Sequence, residues 1–180
     1  MARQREFDED EVLDALRDVF WEHGYDGTSY ATIMAETGLK KGSLYAAFGD
    51  KRALYQKAIA RYDAQVVSAG VQMLRNEKLS AKVRIENLMN GPVEAAGTRQ
   101  GRKGCLLCNA AIDQAPTDKA TEISIIESMS RLRDAIAFAV NDAAKAEHIL
   151  AAYFGARVLV KAGMGKSTLE IIRNQTLLSL

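Results

Sequence analysis

The stretch Gly38-Leu39-Lys40-Lys41-Gly42-Ser43-Leu44-Tyr45-Ala46-Ala47-Phe48, followed at once by Gly49-Asp50-Lys51-Arg52, constrains the fold more than any other part of the chain. A glycine-terminated turn leads into a helix of barely two turns, with Leu44 and Phe48 four residues apart on one face. So short a helix does not stand alone in water and must be held by its neighbours. Two adjacent lysines open it, and another helix begins immediately behind it. This is the geometry of a recognition helix: one face anchored on a small core, the N-terminal end free to enter a DNA groove.

The flanking sequence supplies that core. Asp8 followed by Glu11 reads as a helix cap, and Val12, Leu13, Leu16, Val19, Phe20 and His23 recur at helical spacing, predicting a first helix over about 8–23 that stops at Gly24. Thr28 or Ser29 caps a second, over about 29–37, with Ile33 and Met34 inward and Gly38 at its end. After the short third helix, Asp50 caps a fourth running through Leu54, Tyr55, Ala58, Ile59, Tyr62 and Val66 to about Arg75. A three-helix core does not need a helix that long. It reads as a strut into a second helical unit.

With two prolines in 180 residues, 7% aromatics and an apolar set dominated by alanine and leucine, the chain is expected to be all-α. About nine helices follow from the periodicity. The fifth covers Val83, Ile85, Leu88 and Met89 and is bent or ended by Gly91-Pro92. A glycine-rich basic loop, 97–104, precedes an apolar sixth helix, 105–112, and Asp118 caps a seventh through Ile123, Ile126, Met129, Leu132, Ile136 and Val140. Two last helices, about 143–162 and 167–179, are more apolar than the ends of a monomer require, which points to a homodimer formed through them. The expected division is a helix-turn-helix domain over 1–52 and an effector-sensing and dimerisation domain over 53–180.

The formal net charge of +1 does not announce a nucleic-acid binder, but charge is partitioned: Lys40, Lys41, Lys51 and Arg52 gather in one segment, and Glu6, Asp8, Glu9, Asp10 and Glu11 in another. Neither a signal peptide nor a membrane-length apolar run is evident, and two cysteines three apart form no disulfide framework, so a cytoplasmic protein is expected.

The order of parts resembles the TetR family of transcriptional regulators. Thr28, Ile33-Met34, Gly38-Leu39-Lys40-Lys41-Gly42-Ser43-Leu44-Tyr45, Phe48, Lys51 and Leu54 carry the likeness, over about 45 N-terminal residues. The departures are Met34 where alanine is usual, Lys40 where serine or threonine is usual, and Ala47 where histidine is usual. The resemblance implies a homodimeric DNA-binding regulator, a repressor released from an inverted-repeat operator on double-stranded DNA by a small-molecule effector. No cofactor, metal or membrane partner is implied. In this reading Thr28, Tyr45 and Lys51 hold phosphates, Lys40, Lys41 and Ser43 reach base edges, and Gly42 lets the backbone approach the groove wall. A helical interaction protein that has kept the fold without binding DNA is the alternative from another class, and the retained lysines weigh against it.

In the second unit the salient stretch is Arg102-Lys103-Gly104-Cys105-Leu106-Leu107-Cys108-Asn109. A helix N-terminus and the cations Arg102 and Lys103 would favour a Cys105 thiolate, and the segment looks like that of family members of the N-ethylmaleimide-repressor kind, which implies sensing of electrophiles or oxidants. The bland reading is that Cys105 and Cys108 simply fill a helical core. A reversible apolar effector would instead occupy a region including Met73, Leu88, Met89, Leu107, Ile112, Ile126 and Met129. Enzyme readings fail. The Cys105-x-x-Cys108 spacing lacks the strand of a thioredoxin motif, the two cysteines lie far in sequence from His23 and His148, and Gly165-Lys166-Ser167 lacks the first glycine of a phosphate loop, since position 160 is Val160.

Overall fold

The structure, a computed structural model, describes residues 7–180, so Glu6 of the acidic cluster lies outside the described residues. Helix α1 spans Glu9–Gly27, capped by the Asp8 carboxylate, with its regular course broken at Gly24 (φ 70°, ψ −179°) where glycine alone is at ease. The expected stop is therefore in place, with one further turn behind it. Helices α2 (Tyr30–Thr37) and α3 (Lys41–Phe48) follow, separated by Gly38 in the left-handed region.

Helix α4 begins at an Asp50 cap, runs Lys51–Tyr62, passes through one π-helical turn at Asp63–Val67, and continues over Ser68–Leu74. The wide turn holds one residue more than an α turn, so the buried stripe Leu54, Tyr55, Ala58, Ile59, Tyr62 resumes at Val67 and Leu74, where an unbroken period would have buried Val66. Helix α5 (Ala81–Ala95) runs on with Pro92 inside its last turn and buried, so of the bend or end expected at Gly91-Pro92 the end does not occur. The expected 97–104 loop contains a single helical turn, Arg99–Lys103, capped by Thr98. Helices α6 (Leu106–Asp113), α7 (Lys119–Val140), α8 (Ala143–Ala162) and α9 (Lys166–Leu178) complete the chain, giving nine helices among the described residues besides that turn.

One apolar cluster runs from Val12, Leu16 and Phe20 of α1 through Ile33, Leu44 and Phe48 into Tyr55, Tyr62, Ile85, Cys105, Leu106, Ile136 and Ile149. A smaller one, Val93, Ala156, Val160 and Leu169, joins α5, α8 and α9. The α2–α3 pair thus hangs on α1 and α4, whose far ends reach the rest of the bundle. In the first half of α7 burial is shifted from the expected face, with Thr121, Ile125 and Ser128 inside and Ile123 and Ile126 exposed, whereas Leu132 and Ile136 farther along are buried as expected. The cause is polar. Gln56 of α4 donates to Asp118 Oδ2 and to Thr121 Oγ1, and Ser124 donates back to Gln56 Oε1, so a hydrogen-bonded seam sets the rotation of α7 against α4.

Candidate functional site

Helix α3 is held by Leu44 and Phe48, 0% and 3% exposed, while Lys40, Lys41, Gly42, Ser43 and Tyr45 stand in solvent. Six helices carry a side-chain cap at their N-terminus: Asp8, Ser29, Asp50, Ser80, Asp118 and Asp142 each accept from the backbone. The cap position of α3 is Lys40, which offers no acceptor. Its first N–H groups are therefore presented outward beside two ammonium groups, an arrangement suited to an anion. Tyr45 stacks on Tyr30 of α2 (centroids 5.3 Å apart), and the Lys41 ammonium lies 4.7 Å from the Tyr30 ring centre. These contacts brace α3 against α2 without covering its leading edge. Burial pushes the Tyr30 phenol up to about 12.

Two of the expected phosphate anchors are placed differently. Thr28 is 1% exposed, and its hydroxyl donates to the Gly24 carbonyl at 2.6 Å, so it closes the turn behind α1 and is not presented to a phosphate. The residue at the surface is Ser29, whose Oγ accepts from Thr32 N at 3.1 Å. Lys51 is half-buried at the start of α4, with its ammonium 4.5 Å from the ring centre of Tyr25. Its neighbour Arg52 lies over the same ring, donates to Gln114 Oε1 at 2.9 Å and pairs with Asp118 at 3.3 Å. Gln114, buried at the end of α6, donates in turn to Asp26. This seam ties the turn after Gly24 and the start of α4 to α6 and α7.

A second joint lies at the other end of α6. Trp21 Nε1 of α1 donates to the Gly104 carbonyl at 3.2 Å, Arg157 Nη2 of α8 donates to the same oxygen at 3.0 Å, and the Tyr62 hydroxyl of α4 donates to Cys105 Sγ at 3.5 Å. Trp21 and Tyr62 meet edge to face, centroids 4.9 Å apart. Cys105 occupies the N-cap of α6 and Cys108 its first turn, both buried thiols. The Cys108 thiol, donating to Cys105 Sγ, holds the Cys105 thiol below its usual range; the Tyr62 hydroxyl, the Cys108 backbone N–H and Arg157 act in the same direction against burial. Cys108 is pushed up by that same hydrogen bond and by burial.

The cations expected beside Cys105 are not the ones that act. Lys103 pairs with Glu22 at 3.2 Å, and the Arg102 guanidinium lies against Gly163. Arg157, distant in sequence, takes that place, and the helical periodicity of α8 carries no sign of it. A cavity of about 140 Å³ opens beside the thiols, lined by Cys105, Cys108, Asn109, Ile112, Arg157 and Lys161 among others. A smaller one, about 30 Å³, lies on the other side of Cys105 between Tyr62, Leu88, Leu107 and Tyr153. Of the expected effector residues, Cys105, Cys108 and Ile112 line the larger space and Leu88 and Leu107 the smaller, whereas Met89 is fully packed and Met129 is half-buried against the core, and neither lines either of these two spaces. Ile126, 55% exposed on the outer face of α7, is likewise away from both.

A two-turn helix with a free N-terminus, set on a three-helix unit and joined by one long helix to a second bundle, defines a helix-turn-helix transcriptional regulator. The chain belongs to the TetR family. The family profile described as "Bacterial regulatory proteins, tetR family" matches residues 12–58. The uncharacterized HTH-type transcriptional regulator YezE of Bacillus subtilis is 32% identical over 135 residues, which cover 75% of this chain and 69% of YezE. The HTH-type transcriptional repressor ComR of Escherichia coli is 28% identical over 64% of this chain and 55% of its own length. Among solved structures, the TetR family transcriptional regulator CifR, as a cysteine mutant complexed with 26 bp double-strand operator DNA, superposes with a TM-score of 0.80 at 27% identity, covering 98% of this chain and 99% of that one. The reduced form of Escherichia coli NemR shares the fold (TM-score 0.82, 14% identity, 92% and 93% covered). No helix among the described residues is long and apolar enough to cross a membrane.

Proposed function

We propose that the protein is a cytoplasmic homodimeric repressor that binds an inverted-repeat operator through α3 and is released by a small-molecule effector in the C-terminal unit. The observation that carries the DNA reading is the open, uncapped and cationic start of α3 on two fully buried anchors. Lys40, Lys41 and Ser43 are the residues for base edges, lysine favouring guanine O6 and N7, with Gly42 allowing close approach. Tyr45, 43% exposed, and the surface cap Ser29 serve phosphates, and Lys51 joins them once its ammonium leaves the Tyr25 ring. CifR, complexed with its operator duplex, supports the DNA-binding reading by likeness.

Dimerisation through α8 and α9 is supported by the outward face of Ala144, Ala151 and Gly155, small enough for close helix approach, and by Ile171 and Leu178, 62% and 79% exposed. A functional division near residue 52 places reading in α1–α3 and sensing behind it, with α4 as the lever between them. A second reading of the input, covalent sensing of electrophiles or oxidants at Cys105, is favoured by its helix-capping position and its Tyr62 partner on the lever itself. Lys41→Ala should weaken binding to a fluorescent duplex by about tenfold or more in anisotropy titrations and flatten the salt dependence. Unchanged titrations would remove α3 from the interface, and a monomer by light scattering at micromolar concentration would overturn the dimer.

A further inference from the structure

We propose that the cavity between α6 and α8 is a binding site for a compact carboxylate, held by Arg157 and Lys161. This names the chemical class of the effector and rests on the reading of the C-terminal unit as a sensor.

Three observations carry it. The cavity, at about 140 Å³, is large enough for a small solute, and Ile112 and Val158, 68% and 43% exposed, leave it open to solvent for entry. Its wall is apolar at Ile112 and Val158 and cationic at Arg157 and Lys161. And neither cation has an ion-pair partner among the described residues: Arg157 donates to the Gly104 carbonyl and lies beside the Tyr62 hydroxyl, with its Nε enclosed and unpartnered, while Lys161 donates to the amide oxygen of Asn109 at 2.7 Å. Elsewhere the guanidinium groups of α1 and α4 meet carboxylates, as Arg61 does with Asp10 and Asp14 and Arg52 with Asp118. A half-buried guanidinium served only by neutral oxygens favours an incoming anion, because cation and anion then offset each other's loss of water.

The packing around the pair is built to keep it there. Gly104, at φ +73°, lies so close to the Lys161 stem that a Cβ would fall 2.9 Å from its Cδ. The Gly104 carbonyl that holds Arg157 also holds Trp21 of α1. A carboxylate that draws the guanidinium toward itself therefore loosens a contact shared with the DNA-reading unit. Asp113, exposed on the rim, disfavours dianions and leaves a monocarboxylate as the best match.

Calorimetric titration of the full chain with crotonate and benzoate, against crotonamide and benzamide at equal ionic strength, tests this without DNA. At least one carboxylate should bind about ten times more tightly than its amide, as expected for a charge-assisted contact. Lys161→Met, a change of an exposed side chain that leaves the apolar stem in place, should abolish the difference. Equal binding of acid and amide, no binding of either acid, or a preference for acids that survives both Lys161→Met and Arg157→Met, each overturns the proposal. Operator binding is measured separately, so failure here leaves the DNA reading intact.

Discussion

Replacing Thr28 by valine separates a structural hydroxyl from a phosphate-binding one. The exchange keeps the shape of a side chain that is 1% exposed and deletes only the bond to the Gly24 carbonyl at 2.6 Å. That oxygen sits where α1 breaks, at the positive φ of half-buried Gly24, and losing this hydrogen bond costs about 0.5–1.5 kcal/mol. With a urea m-value of roughly 2 kcal/mol/M, the unfolding midpoint should fall by about 0.3–0.7 M at fixed protein concentration, with m unchanged. DNA affinity, measured well below the transition, should stay within about twofold of the parent, because the hydroxyl makes no phosphate contact. Ser29→Ala should do the reverse in kind: a cap loss of about 0.5–2 kcal/mol together with weaker binding to specific and random duplex alike. A Thr28→Val protein with an unchanged midpoint and markedly weaker DNA binding would refute the assignment of that hydroxyl to the turn.

Further outcomes follow from individual contacts. Gly101→Ala would set a Cβ 2.0 Å from the Ala95 carbonyl oxygen and 2.9 Å from Val160, an overlap no rotamer relieves, and should destabilise by about 3 kcal/mol or more in urea melts. Trp21→Phe removes one of two donors to the Gly104 carbonyl and shrinks a buried ring packed on Tyr62, so the loss followed by circular dichroism should exceed the net worth of one hydrogen bond, about 0.5–1.5 kcal/mol. Arg61 holds the Asp14 carboxyl down at about 2 from its usual 3.8, so the stabilisation is present above about pH 4 and is lost as pH falls toward 2. The pair is partly open to solvent, and solvent screening limits its worth to about 1 kcal/mol or less, seen as a shallower acid loss in Asp14→Asn.

The sequence made the architecture legible where local chemistry decides it. Asp8, Asp50 and Asp118 each cap the helix expected of them, and Leu44 and Phe48 anchor α3 at the expected spacing. It was mute where distant partners decide. Thr28 and Ser29 are both acceptable caps, and only the fold turns one inward. Ile123 and Ile126 match a helical period but lie outside because Gln56 binds Thr121 and Ser124. The π turn that moves burial from Val66 to Val67 has no residue signature of its own. The cation beside Cys105 comes from α8, and no local pattern around Arg102 and Lys103 could have named Arg157.

Selection of bound sequences from a pool of random duplexes by the purified full-length protein tests the central claim most directly. The account predicts an inverted repeat whose half-site centres lie about one helical turn, roughly 10–10.5 bp, or a multiple of it apart, with specificity inside each half-site relaxed by Lys41→Ala and Ser43→Ala. Recovery of no enriched sequence, or of a repeat whose preferences are untouched by both substitutions, would contradict it.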